Sequence, residues 1–136
     1  MRIADTSLLY ALFSRDDIHH DEAMRRMQEP ETVLIPSEIW SETISLIHHR
    51  QGFGMAIKAG GALLGLPHVE VLPSRVDILR SSWRTYGQAE GKLSIADSII
   101  LAWCDDKRAT PLTFDEDIRR RYEKHPRPSP VESGKG

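Results

Sequence analysis

Four short apolar runs, each closed by a polar residue or a proline and each followed by a stretch of helical period, constrain this chain more than any other feature. The runs are "RIADTS" (2–7), "TVLIP" (32–36), "HVEVLP" (68–73) and "ATPLTF" (109–114). They are too short for stable helices, and their apolar content and bounding Pro, Asp and Ser read as strands. Between them lie "LLYALF" (8–13), "HDEAMRRMQ" (20–28), "SEIWSETISLIHHR" (37–50), "GMAIKAGGALLG" (54–65), "SRVDILRSSWRTYGQAEG" (74–91) and "LSIADSIILAWCDDK" (93–107), and "DIRRRYEK" (117–124) closes the series. These read as helices. Strands that alternate with helices predict a parallel sheet with right-handed crossovers, an α/β fold of three layers (α/β/α) around four to five strands.

The helical readings carry their own expectations. Ser37 is placed to cap its helix. Val76, Leu79, Trp83 and Tyr86 form one apolar stripe at spacings of 3 and 4. Gly60 and Gly61 each cost a helix about 1 kcal/mol against alanine, which close helix packing or a loop would explain. A chain of 136 residues with no visible repeat makes one domain, over residues 1–123. The stretch 124–136, "KHPRPSPVESGKG", is rich in Pro, Ser and Gly and reads as a disordered tail or an expression remnant outside the fold. The single cysteine, Cys104, offers no internal disulfide and fits a reducing compartment. No apolar stretch approaches the ~18 residues of a membrane span, and no export signal is visible, so a cytoplasmic location is expected.

Four acids fall at related places in this pattern. In an open parallel sheet, ligands bind beyond the carboxyl ends of the strands, where the strand order switches. Asp5 ends the first strand and Asp115 follows the fourth. Glu42 lies early in the helix after the second strand, on the flank of an apolar stripe of Ile39, Trp40, Ile44, Leu46 and Ile47, with Glu38 turned farther to solvent. Asp97 lies in the first turn of the last long helix. Like charges gathered at one edge repel, and a divalent cation relieves the conflict. Hard oxygen donors suit Mg²⁺ or Mn²⁺. Such an ion binds phosphate oxygens and activates water, so phosphodiester hydrolysis is the best match. Each acid also has a structural alternative: an Asx turn for Asp5, a capping box with Ser94 for Asp97, a helix cap for Asp115 or Asp117, and an arginine salt bridge for Glu42.

"IADTS", "PSEIWSE", "LSIADSIILA" and "LTFD", in this order and spacing, resemble the PIN-domain nucleases, and most of all the VapC toxins of bacterial and archaeal toxin–antitoxin pairs. The resemblance covers residues 1 to about 122. It implies a PIN-like fold and a Mg²⁺- or Mn²⁺-dependent endoribonuclease that is dimeric and held inactive by a cognate antitoxin. It carries the family's acids onto Asp5, Glu42, Asp97 and Asp115, with Asp117 an occasional further metal ligand, and the supporting hydroxyls onto Thr6 and Thr113. A PIN domain of RNA processing, or a module that binds RNA or protein without cleaving it, is the alternative.

With a net charge of −2, attraction of a polyanion must be local. Arg15, Lys92, Arg108 and the run Arg119, Arg120, Arg121 are the candidates for phosphate contact, Arg15 and Lys92 foremost. For most of the run a solvated helix face is the simpler account. The pairs His19/His20 and His48/His49 are adjacent on helices and so do not converge on a metal. An exposed aromatic–leucine face on residues 54–66 would suit the antitoxin or a second copy, with ordinary core as the alternative. A phospho-acceptor receiver domain, which also gathers acids at a sheet edge, is disfavoured because the third strand ends "VLPSR" without an acceptor aspartate.

Overall fold

The computed structural model describes residues 1–124; the tail expectation therefore lies almost wholly outside the described residues. Four strands form, at the expected places: β1 (Arg2–Ala4), β2 (Val33–Pro36), β3 (Val69–Leu72) and β4 (Thr110–Leu112). All pair in parallel, in the order β3-β2-β1-β4. The central strands β1 and β2 are buried along their whole length, whereas the edge strands β3 and β4 are only partly covered. Such full burial is what a sheet covered on both faces requires, and it explains why these runs are continuously apolar rather than alternating.

Seven helices accompany the sheet: α1 (Thr6–Leu12), α2 (His20–Met27), α3 (Ser37–Gln51), α4 (Phe53–Gly65), α5 (Val76–Ala89), α6 (Ile95–Lys107) and α7 (Glu116–Lys124). The strand order steps outward from β1 to β2 and β3, then jumps back to β4. Right-handed crossovers therefore set α1–α4 and α5–α6 on opposite faces of the sheet. Trp103 of α6 is among the largest fully buried side chains, together with Leu8, Leu9, Ile39, Leu63 and Ile100. Where α3 meets α4, a smaller cluster of Ile47, Ala56 and Ala59 extends the core. Gly60 belongs there: a Cβ would stand 3.3 Å from Ile44 Cδ1 and 3.5 Å from Trp40 Cζ2. Gly61 faces open space, so packing does not explain it.

Two local expectations are corrected. Ser37 is the first residue of α3 rather than its cap; Pro36 takes that position without a side-chain bond. The Ser37 hydroxyl turns instead toward Glu38 and Ser74. Glu38, held by Ser74 Oγ at 2.7 Å, is half-buried, while Glu42 is the more exposed of the two. The α5 stripe is not core at all. Trp83 is 68% exposed and Val76 61%, with Leu79 and Tyr86 also open; Ile78, Ser82 and Ala89 are the residues α5 buries. The stripe has helical period but faces outward, and α5 turns the mixed face of Ile78, Ser82 and Ala89 to the core.

Candidate active site

The strand order reverses between β1 and β4, and both strands end at the same edge. Asp5 follows β1 directly. Its residue is 6% exposed, and its carboxylate is held on three sides. The backbone N–H of Thr6 donates to Oδ1 at 2.8 Å, while the hydroxyls of Thr113 and Ser7 donate to Oδ2 at 2.7 and 3.1 Å. Thr113 is fully buried at the end of β4, so this bond ties the two strand ends together across the switch point. Ser7 Oγ also accepts from the Phe114 N–H at 3.3 Å.

The other three acids arrive on helix N-termini that open at this edge. Asp97 makes the expected capping box: its N–H donates to Ser94 Oγ, and the Ser94 N–H donates to Asp97 Oδ2, both at 3.0 Å. Asp115 caps α7, with Oδ1 accepting from the N–H groups of Asp117 and Ile118 at 2.8 and 3.2 Å. Its own N–H donates to Thr113 Oγ1. Capping and site-building are thus not rivals here. In Asp97 and Asp115 one carboxylate oxygen anchors the backbone and the second is left over. Glu42 stands on the second turn of α3. Thr6 Oγ1 is buried with no partner at hydrogen-bonding distance among the described residues, although the hydroxyl is close enough to Glu42 to oppose the rise in that carboxyl's pKa.

The electrostatics show that the four acids share one region. Burial is the largest cause raising the Asp5 pKa above its ordinary value, and the charge of Asp115 adds to it against the three hydrogen bonds. Glu42 is also raised, by partial shielding of its carboxyl first and by the charges of Asp5 and Asp97 after it. Asp97 is raised by burial, then by Asp5 and Asp115, while its bonds to Ser94 oppose the shift. Among the described residues no lysine or arginine forms an ion pair with any of the four. The salt bridge expected as the alternative for Glu42 is absent from that set. Nor, among the described residues, do three acidic, His or Cys side chains stand close enough to enclose a metal as placed. The donor set still fits a hard cation. Mg²⁺ is commonly held by one or two carboxylates and keeps several waters, so it needs no closed protein cage.

The remaining candidates divide. Asp117 lies on the outer side of α7, its carboxylate paired with Arg120 at 2.6 Å. Arg119 bonds the Thr113 carbonyl at 2.9 Å and so fastens α7 to the end of β4. Lys92 is exposed in the turn before α6, two residues before Ser94. Arg15 is exposed between α1 and α2. Arg108 caps the far end of α6, about 16 Å along that helix from Asp97 by helical rise. Of the histidines, His19 stacks on Phe114 with centroids 4.3 Å apart, and His20 bonds the Ala11 carbonyl. Sequence reasoning overlooked Ser7 as a site residue. The spacing of a hydroxyl two residues after an acid at a strand end was the available signal, since such residues bond locally at turns.

A family model described as the PIN domain matches residues 2–124. No curated protein matches the chain in sequence. Among solved structures, the chain resembles VapC20 from Mycobacterium tuberculosis, whose crystal structure is described as that of a sarcin-ricin loop cleaving toxin. The TM-score is 0.82 at 24% identity, over 94% of this chain and 100% of that one. At that identity the likeness is one of fold, and it includes the parallel sheet and its helical layers.

Proposed function

The chain belongs to the PIN-domain family, and on that footing we propose that it is an endoribonuclease, the toxin of a toxin–antitoxin pair, hydrolysing RNA phosphodiesters with a divalent cation. The observation that carries this reading is the group of four mutually repelling carboxylates that no cation among the described residues neutralises. The similarity to a toxin that cleaves the sarcin-ricin loop supports it. Asp5, Glu42, Asp97 and Asp115 are the residues that would hold the ion, with Asp117 a lesser candidate because Arg120 engages it. Mg²⁺ or Mn²⁺ bound there supplies charge neutralisation for the phosphodiester and water made nucleophilic near neutral pH.

The chain's own residues do the rest. Thr113, Ser7 and the Thr6 amide hold the Asp5 carboxylate in one orientation and favour its charged form, which is the form that binds a cation. The capping bonds of Asp97 and Asp115 fix each carboxylate through one oxygen and present the other. Water attacking in line, with the 3′-oxygen as the leaving group that takes up a proton, would give a 5′-phosphate and a 3′-hydroxyl, the outcome the family resemblance implies.

Two exposed apolar faces fit the partners such a protein requires. The larger holds Val76, Leu79, Trp83 and Tyr86 of α5 with Ile95 of α6, and all of these but Tyr86 line, with Arg80 and Arg84, an open cavity of about 710 Å³. We assign it to a second copy, because homodimer interfaces are the more apolar class. Phe53, Ile57 and Leu64 on α4 remain for the antitoxin. Replacing Trp83 with alanine should weaken self-association by more than about tenfold, as loss of a central aromatic anchor does, with sedimentation as the readout. Cleavage of a labelled RNA in Mg²⁺ tests the activity. The expected result is fragments with 5′-phosphates from the wild type and none from Asp5→Asn. Equal cleavage by both proteins would overturn the reading.

A further inference from the structure

Beside the acids, between the turn at Lys92–Leu93 and helix α7, lies a cavity of about 290 Å³ lined by Lys92, Leu93, Asp117, Arg120, Arg121 and Lys124. Resting on the ribonuclease reading above, we propose that this cavity is a subsite for a backbone phosphate of the RNA strand, outside the linkage that is cut.

Its position is set by the same backbone that sets the acids. Leu93 precedes Ser94, whose amide bonds Asp97, and the Asp117 amide bonds Asp115 Oδ1. A strand whose scissile phosphate lies at the carboxylates would, on this proposal, place a neighbouring phosphate in this cavity. Its charge is opposite to that of its neighbour. Four cations face one carboxylate, and that carboxylate is engaged by Arg120. Lys92, Arg121 and Lys124 make no ion pair among the described residues.

The arrangement answers a physical need. Four carboxylates repel a polyanion, and the chain's net charge of −2 supplies no general attraction. Affinity must come from a local cationic surface on the elements that carry the acids, and arginine presents the planar donor fork that matches a phosphate. An acidic protein segment would also be attracted. Protein interfaces are built on an apolar centre, however, and Leu93, itself buried, is the lone apolar residue in this lining. A strand with regularly spaced charges fits better.

The test is fluorescence anisotropy with a labelled 12-nucleotide single-stranded RNA in EDTA, where no cleavage confounds binding. The double variant Lys92→Gln/Arg121→Gln should bind about five- to tenfold more weakly, with the slope of log affinity against log salt shallower by about 0.7 to 1. The matched variant Lys58→Gln/Lys107→Gln, with the same change in net charge on other surfaces, should keep the wild-type slope. Unchanged affinity and slope in the first variant would overturn the subsite. So would an equal loss in both variants, which would mark a net-charge effect. A loss confined to a labelled polyglutamate probe would overturn it in favour of an acidic protein partner. Because binding is read without turnover, failure of the subsite is distinguishable from failure of the ribonuclease reading, which the cleavage assay decides.

Discussion

Glu22 and Asp5 are both carboxylates near the start of a helix, and the structure drives them in opposite directions. Glu22 on α2 accepts from Arg25 and Arg26, and those bonds hold its pKa down at about 2. Arg75 does the same for Asp77 while also pairing with Asp106. Asp5, Glu42 and Asp97 have no such partner among the described residues, and burial with mutual repulsion pushes all three up. The surface acids have their cation built in. The edge acids are arranged so that a cation must come from outside. This difference, rather than the presence of acids as such, separates a binding centre from a solvated helix face.

The largest expected effect breaks the edge cluster at its most buried member. Asp5→Asn keeps an acceptor for the Thr6 amide but removes the charge, and it should lower RNA cleavage by at least about 10²-fold, beyond the 10- to 100-fold typical of outer-shell residues. It should also leave the metal-free protein no less stable than the wild type, because the lost charge was one the fold holds at a disadvantage. Thermal unfolding in EDTA checks the second half. A large drop in Tm together with lost cleavage would mean that Asp5 is a structural cap and nothing more.

Next come the hydroxyls that position Asp5. Thr113→Val preserves volume in a fully buried site while deleting the 2.7 Å bond to Oδ2. A loss of roughly 10- to 100-fold in cleavage is expected, with Ser7→Ala falling at the lower end because Ser7 makes the longer bond. Cleavage rates at saturating Mg²⁺ measure both.

The contrast also explains what could be read before any coordinates. The strands, their order of appearance and the edge at which Asp5, Asp97 and Asp115 arrive followed from apolar runs and helix starts, because in a parallel sheet those features share one end. The direction of α5 did not follow. Its apolar stripe and its opposite face, Ile78, Ser82 and Ala89, have the same period, and the packing of α5 on α6 selects the second. Thr43 was likewise hidden: a fully buried polar residue that satisfies itself by bonding the Ile39 carbonyl at 2.7 Å within α3. Whether an acid has an arginine neighbour in space is also invisible along the chain. Glu22 meets its partners three and four residues away, whereas Arg75 meets Asp106 across 31.

A third prediction uses the missing cation directly. Ligand at about 100 times its dissociation constant adds roughly 2.7 kcal/mol to stability, so saturating Mg²⁺ or Mn²⁺ should raise Tm by several degrees, and Asp5→Asn should abolish most of that rise. The pH dependence without metal has a definite sign. A carboxyl whose folded pKa is raised binds protons more tightly in the native state, so stability falls as pH climbs from the ordinary value of about 4 through the raised one, and the deficit persists at pH 7. Differential scanning fluorimetry in EDTA should therefore show the site's contribution improving on mild acidification, and the divalent ion should remove that trend.

The smallest effect lies on the other side of the contrast. For Glu22 the sign reverses: its folded pKa is depressed, so its contribution is present above the ordinary 4.5 and disappears as pH falls toward about 2. Glu22→Gln should lower Tm by no more than about 2 °C at pH 7, since exposed ion pairs contribute little and salt screens them. The loss should shrink further in 1 M salt, where the screening length is about 3 Å. It should leave both RNA cleavage and the Mg²⁺-induced rise in Tm where they were. If Glu22→Gln instead reduced the Mg²⁺ response, the separation between self-neutralised and cation-requiring acids would be wrong. The charge of α2 would then be felt at the acid edge, by way of Arg26, which pairs with Glu22 and lies over the ring of Phe114 beside Asp115.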